Sequence, residues 1–171
     1  MTHQITPCAP ADFDRILEII NLAAEAYRGA IPDECFHEPY MPADELTSEI
    51  KAGIKFSGCT DNNALVGVMG IQNVDDVTLI RHAYVDPDAQ RSGVGAALLN
   101  HLRNETEKPI LIGTWKAATW AITFYRTNGF TLVDEDAIRP LLKRYWTVPE
   151  AQIVNSCVLV ETSYADRFIA T

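Results

Sequence analysis

The stretch 85–96, which reads VDPDAQRSGVGA, constrains the fold more than any other. Before it lies an apolar run, residues 77–85, with the length and β-branched content of a buried strand. After it Val94, Leu98 and Leu102 recur at four-residue spacing, as on the buried face of an amphipathic helix. The order is therefore strand, polar loop with Gly93 and Gly95, helix. Such a junction aims several backbone N–H groups and the positive end of the helix dipole at one point. A diphosphate fits there. Gly93 and Gly95 carry no Cβ and would let that ligand approach the main chain.

Several readings compete for two glycines after a strand. A nucleoside-triphosphate loop needs Gly-Lys-Ser/Thr at its end, and here Gly95 is followed by Ala96 and Ala97. A dinucleotide fingerprint needs a third glycine, where this chain has Leu98, and an acidic residue roughly 20 positions on. A tight turn with glycines for geometry alone is the plain alternative.

The rest of the chain supplies the frame. Its 171 residues suit one domain, 1–171, with a sizeable core. Helical spacing of Phe13, Ile16, Leu17, Ile20, Ala24 and Tyr27 predicts a first helix that stops at Gly29. A loop over 30–41 holds two prolines with aromatic and acidic side chains and suits a pocket wall as well as a plain connector. A second helix is expected over 42–55. Strands over 56–60, 64–72 and 77–85, joined by short turns, predict an antiparallel meander, and Ile5-Thr6 an edge strand. After the glycine loop come a helix to about 106, a strand over 110–114, a helix over 115–128 and a strand over 130–133. A strand–helix–strand order with so short a loop implies one parallel pair. Residues 137–145 are an expected helix and 153–161 the last strand, with 134–136 as a solvated break. The fold class is α/β with a mixed sheet: a meander plus a central parallel pair flanked by helices.

Composition narrows the partners. With 47% apolar and 22% charged residues the chain has the make-up of an ordinary globular protein. No apolar run approaches the ~20 residues of a membrane span, and the N-terminus lacks the layout of a signal peptide, so the cytoplasm and no membrane partner are expected. Cys8, Cys35, Cys59 and Cys157 are scattered, which predicts reduced thiols and no metal site. A net charge of −9 argues against nucleic-acid binding and mildly favours cationic acceptors.

Two motifs now stand in order. Gln90-x-x-Gly93-x-Gly95-Ala96 resembles the acyl-CoA pyrophosphate loop of the GNAT superfamily of N-acetyltransferases. Phe124-Tyr125-Arg126-Thr127-Asn128-Gly129-Phe130, with Ala121 before it, resembles that family's helix-to-strand signature. Together they cover roughly residues 64–134. The resemblance implies that the N–H groups of Arg91, Ser92, Gly93, Val94, Gly95 and Ala96, with Gln90 and Phe124 alongside, hold acetyl-CoA as co-substrate. Main-chain groups of Ala83, Tyr84 and Val85 would pair with the pantetheine arm like an added strand, and the N–H of Ala83 or Tyr84 would steady the developing oxyanion. Tyr125 would protonate the departing thiolate; packing alone is its other reading. The implied reaction is acetylation of a primary amine on a small molecule by direct attack, without a metal, in an expected homodimer. A non-catalytic acyl-CoA-binding domain and a protein or peptide amine acceptor are the alternatives.

Two departures matter. Many members carry Asn where this chain has Ala118, which removes a cofactor contact. The family's side-chain bases sit on the strand before the glycine loop. Strict alternation puts Leu79, Arg81 and Ala83 on one face and Ile80, His82 and Tyr84 on the other. By offset from Gly93 the first face is the acceptor's, and it carries no base. That leaves water or a loop carboxylate such as Glu38, Asp75 or Asp76, with His82 facing away as a core histidine. Arg81, Glu38 and Tyr40 are the expected acceptor-binding residues. Arg81 would either bond an internal carboxylate (Glu38, Glu49 or Asp76) or hold an acidic group of the acceptor through its fork.

Overall fold

The structure, a computed structural model, describes residues 3–169. The seven strands among the described residues form one sheet in the order β1-β2-β3-β4-β5-β7-β6. The strands are β1 (Gln4–Pro7), β2 (Lys55–Asp61), β3 (Ala64–Val74), β4 (Val77–Val85), β5 (Ile110–Trp115), β6 (Phe130–Leu132) and β7 (Ser156–Glu161). The helices are α1 (Phe13–Ala24), α2 (Ala43–Lys51), α3 (Val94–Arg103), α4 (Thr119–Thr127), α5 (Glu135–Tyr145), α6 (Glu150–Val154) and α7 (Ala165–Phe168).

β2 to β4 make the expected antiparallel meander, with two-residue turns at Asn62-Asn63 and Asp75-Asp76, and β1 pairs antiparallel with β2 at the edge. Asn62, Asn63 and Asp75 take the positive φ that such turns demand and that short polar side chains tolerate. From β4 the chain crosses through α3 to β5, which lies parallel to β4. Val68 and Met69 are neighbours on β3 and so face opposite sides of the sheet. Val68 packs with Ile16, Ile19 and Ile20 of α1 and Leu46 of α2; Met69 belongs to the cluster holding Val94, Leu98, Leu99 and Leu102 of α3. The sheet is thus covered on both faces. No helix among the described residues is long and apolar enough to cross a membrane.

Several boundaries differ from expectation: α2 stops at Lys51, with Lys55 already in β2, and α4 starts at Thr119, with Trp115 still in β5. Asp134 precedes α5 and Glu135 and Asp136 lie in its first turn, where acidic groups meet the positive helix end, so this segment is a helix start and not a break. The apolar segment at 153 belongs first to the short helix α6, which starts after Pro149, and the last strand begins only at Ser156.

Candidate functional site

β4 and β5 pair only at Thr78 with Ile110, Leu79 with Leu111 and Ile80 with Ile112. Beyond Ile80 they part. β4 runs on to Val85 and β5 to Trp115, which leaves residues 81–85 without a partner strand on the β5 side. α3 starts just past the end of β4, and its cap Gly93 has φ +84° with no side chain capping the helix. The first four N–H groups of a helix have no partner inside it, so those at 93–96 point out of its N-terminus. Gln90 donates from Nε2 to the Val85 carbonyl at 3.3 Å and Ser92 donates to the Ala89 carbonyl, which holds the loop on the strand end. Gly95 differs from the expected role. A Cβ there would lie 3.3 Å from the Phe124 ring, so Gly95 lets Phe124 of α4 close over α3.

The parted ends line a cavity of about 350 Å³, between Arg81, His82 and Tyr84 of β4 and Gly113, Thr114 and Trp115 of β5. Tyr27 and Tyr40 close one side and Glu49 of α2 another. The Trp115 indole donates to the Tyr40 hydroxyl at 3.0 Å, and the Tyr27 ring packs on Tyr40 at 5.3 Å and edge-on to Tyr84 at 6.4 Å. Burial pushes the phenols of Tyr27, Tyr40 and Tyr84 up, so all three stay neutral. Glu34, Glu45 and Glu49 give the cavity an acidic lining. Arg81 is already engaged. It donates to Gln72 at 2.9 Å and to Glu49 Oε1 at 3.2 Å, the internal-carboxylate arrangement of the two that the sequence allowed.

One strand irregularity overturns the reading of His82. Tyr84 pairs with Val68 and Arg81 with Gly70, so His82 and Ala83 together oppose the single residue Met69. This is a bulge on β4, and His82 takes φ +52° within it. Gly70 makes room, since a Cβ there would sit 2.9 Å from the Arg81 carbonyl oxygen. The bulge cancels the alternation. His82 does not face away: it bonds Glu49 from Nε2, stacks on Phe56 at 6.1 Å and lines the cavity beside Arg81 and Tyr84. Ala83 instead packs toward the α3 side.

Other expected residues fall elsewhere. Glu38 lies outside the cavity lining, with its side chain 75% exposed and paired to Arg28. Asp76 accepts from the Tyr145 hydroxyl at 2.8 Å and pairs with Arg144 and Arg167, and so ties α5 and α7 to the β3–β4 turn. Tyr125 is buried between Phe124 and Phe130, with ring centroids 5.1 and 5.9 Å away. Burial, with the Tyr27 phenol nearby, holds its hydroxyl well above the usual range and keeps it protonated. Glu49 is the site carboxylate that sequence reasoning did not weigh as part of the chemistry. Its signal was present, because it stands three residues after the core residue Leu46 on the same helix face.

The family model of the GNAT acetyltransferase domain matches residues 20–140. The ribosomal protein bS18-alanine N-acetyltransferase of Escherichia coli K12 is 43% identical over 61 residues, which cover 33% of this chain and 40% of that relative. The fold matches PaiA N-acetyltransferase from Thermoplasma acidophilum, solved with coenzyme A, at a TM-score of 0.72 and 16% identity, covering 94% of this chain and 99% of that one. A GNAT-family acetyltransferase from Staphylococcus aureus matches at 0.69 and 16%, covering 94% and 98%.

Proposed function

The chain belongs to the GNAT acetyltransferases, and from that membership we propose that it moves the acetyl group of acetyl-CoA to a primary amine of a small molecule. The observation that carries this reading is the parting of β4 from β5, beside a helix N-terminus and at the floor of a cavity. The N–H groups of residues 91–96 hold the diphosphate of the co-substrate, where the helix dipole favours an anion. The main chain of Ala83, Tyr84 and Val85 pairs with the pantetheine arm, and the Phe124 ring walls it. An N–H at Ala83 or Tyr84 polarises the thioester carbonyl. The amine attacks directly and Tyr125 protonates the departing thiolate.

Charge and size favour the acceptor class. Three glutamates line the cavity against one arginine that Glu49 already neutralises, which suits a cationic amine. About 350 Å³ is the scale of a small ligand. The four cysteines form no disulfide, in keeping with a reducing cytoplasm. A protein amine is the second reading, because the bacterial relative acts on a ribosomal protein's alanine. The test is release of free thiol from acetyl-CoA with diaminobutane, tyramine, glycinamide and a short peptide beginning with alanine. Turnover of a small amine supports the proposal, and turnover of the peptide alone transfers the activity to protein amines. Acetyl-CoA binding without thiol release from any of them refutes catalysis.

A further inference from the structure

We infer that Trp146 closes the passage between the cavity described above and a second cavity behind it, and so sets how long an amine the site accepts. This rests on the acyl-transfer reading above. The second cavity, of about 470 Å³, lies between the C-terminal half of α2 and the end of α5. Ser48 and Ala52 of α2, Gln72 and Val74 of β3, and Lys143 and Arg144 of α5 line it and do not line the first.

Glu45, Glu49, Arg81, Trp146 and Thr147 line both cavities and form the wall between them. One part of the wall is the Arg81–Glu49 ion pair at 3.2 Å. Gln72 holds Arg81 from the far side at 2.9 Å and donates in turn to the Ala52 carbonyl at 3.2 Å. The other part is the Trp146 indole, which stands on Gly113 of β5. A Cβ at 113 would lie 3.3 Å from two indole carbons and 3.5 Å from the indole nitrogen, so the glycine is what lets the ring reach the sheet. Trp146 is half-buried against the main core. Its backbone N–H donates to the Leu142 carbonyl at 2.9 Å, and the preceding Tyr145 is buried with its hydroxyl on Asp76 at 2.8 Å. The backbone beneath the indole is thus anchored, and the ring leaves the passage only by turning off Gly113 and losing that contact.

The two parts of the wall yield differently. Parting Arg81 from Glu49 leaves a mostly buried charge without its partner, which is costly. Trp146 is an uncharged ring held by contact alone, and it is the part that decides the limit. An amine whose tail fits about 350 Å³ is surrounded by the first cavity. A longer tail has to displace the indole or stay in water. A fitted apolar pocket discriminates a single surplus methylene by ~10–200-fold. The second cavity is the room that a longer tail would need, with Ile54 and Val74 there to meet its methylenes.

The test titrates n-butylamine, n-hexylamine and n-octylamine by calorimetry into the protein saturated with coenzyme A, and follows thiol release from acetyl-CoA with the same amines. The unaltered protein is expected to bind butylamine and to lose at least ~10-fold in affinity by octylamine. Trp146→Ala should reverse that order: octylamine gains at least ~10-fold over its affinity for the unaltered protein and butylamine loses, while the KM for acetyl-CoA holds. Trp146→Phe keeps a ring on Gly113 and should retain most of the limit. A melting curve follows the fold of each variant, and a merely structural role would weaken all three amines together. The same length dependence with and without the indole, a loss common to all three amines, or no binding of any of them overturns the inference and leaves acyl transfer to the earlier probes standing. Binding with the length limit but without thiol release from any amine refutes acyl transfer and leaves the limit standing.

Discussion

Gly93 and Gly95 look alike in the sequence but meet different physics in the fold. Gly93 caps α3 at φ +84°, and a Cβ there meets only the His3 imidazole edge, at 3.7 Å. An alanine at 93 therefore costs conformation alone, ~1–2 kcal/mol for an L-residue in the left-handed region. Asn visits that region more readily, so Gly93→Asn should cost clearly less. Gly95 has an ordinary φ inside the helix, where alanine is favoured over glycine by about 0.8–1.0 kcal/mol. Its new Cβ would press the Phe124 ring at 3.3 Å. Phe124 is half-buried, so the ring can give, and Gly95→Ala should come out near neutral. Valine adds two methyls against that ring. Gly95→Val should weaken acetyl-CoA binding by more than about tenfold, or ~1.4 kcal/mol, while Gly93→Asn retains most of the affinity. Urea unfolding reads the stabilities and calorimetric titration the binding. Equal losses for alanine and asparagine at 93, or a Gly95→Ala loss as large as Gly93→Ala, would refute this division of roles.

Tyr125→Phe should lower turnover by ~10²–10⁴-fold and spare acetyl-CoA affinity; unchanged turnover would make Tyr125 a packing residue only. Glu49 gives a pH signature to stability. Its folded value lies below its ordinary 4.5, so its contribution is complete above that pH and is lost as pH falls through the lower folded value. Urea midpoints of the unaltered protein and Glu49→Gln should thus separate most at neutral pH and converge below about pH 4; a constant separation would remove Glu49 from the account.

The frame was legible because its signals are local. Two-residue turns impose a meander, and a strand, a glycine loop and Leu98 and Leu102 on one helix face impose the crossover that makes β5 parallel. Along β4 the facing of the side chains was legible up to Arg81 and no further. Counting alternate residues assumes a period of two, and the bulge at His82 and Ala83 breaks it. A trace existed in Gly70, an isolated glycine inside a strand, which marks a bulge or a close backbone approach. Glu38 and Asp76 were nominated because loops carry function, but both are held by arginines outside the cavity. The pairing of Glu49 with both Arg81 and His82 depends on how α2 lies over β4, which no local pattern encodes.

The parting of β4 from β5 also bears on how long the protein lasts. A sheet with an unpaired seam at its centre opens more easily there than a closed one, and an open edge invites pairing with other chains. A ligand that fills the seam binds the folded state and not the unfolded one. At a hundredfold excess over its dissociation constant such a ligand adds about 2.7 kcal/mol to folding. If acetyl-CoA is that ligand, the protein's resistance to proteolysis rises with cofactor concentration, and coenzyme A, which shares the diphosphate and the pantetheine arm, protects it as well.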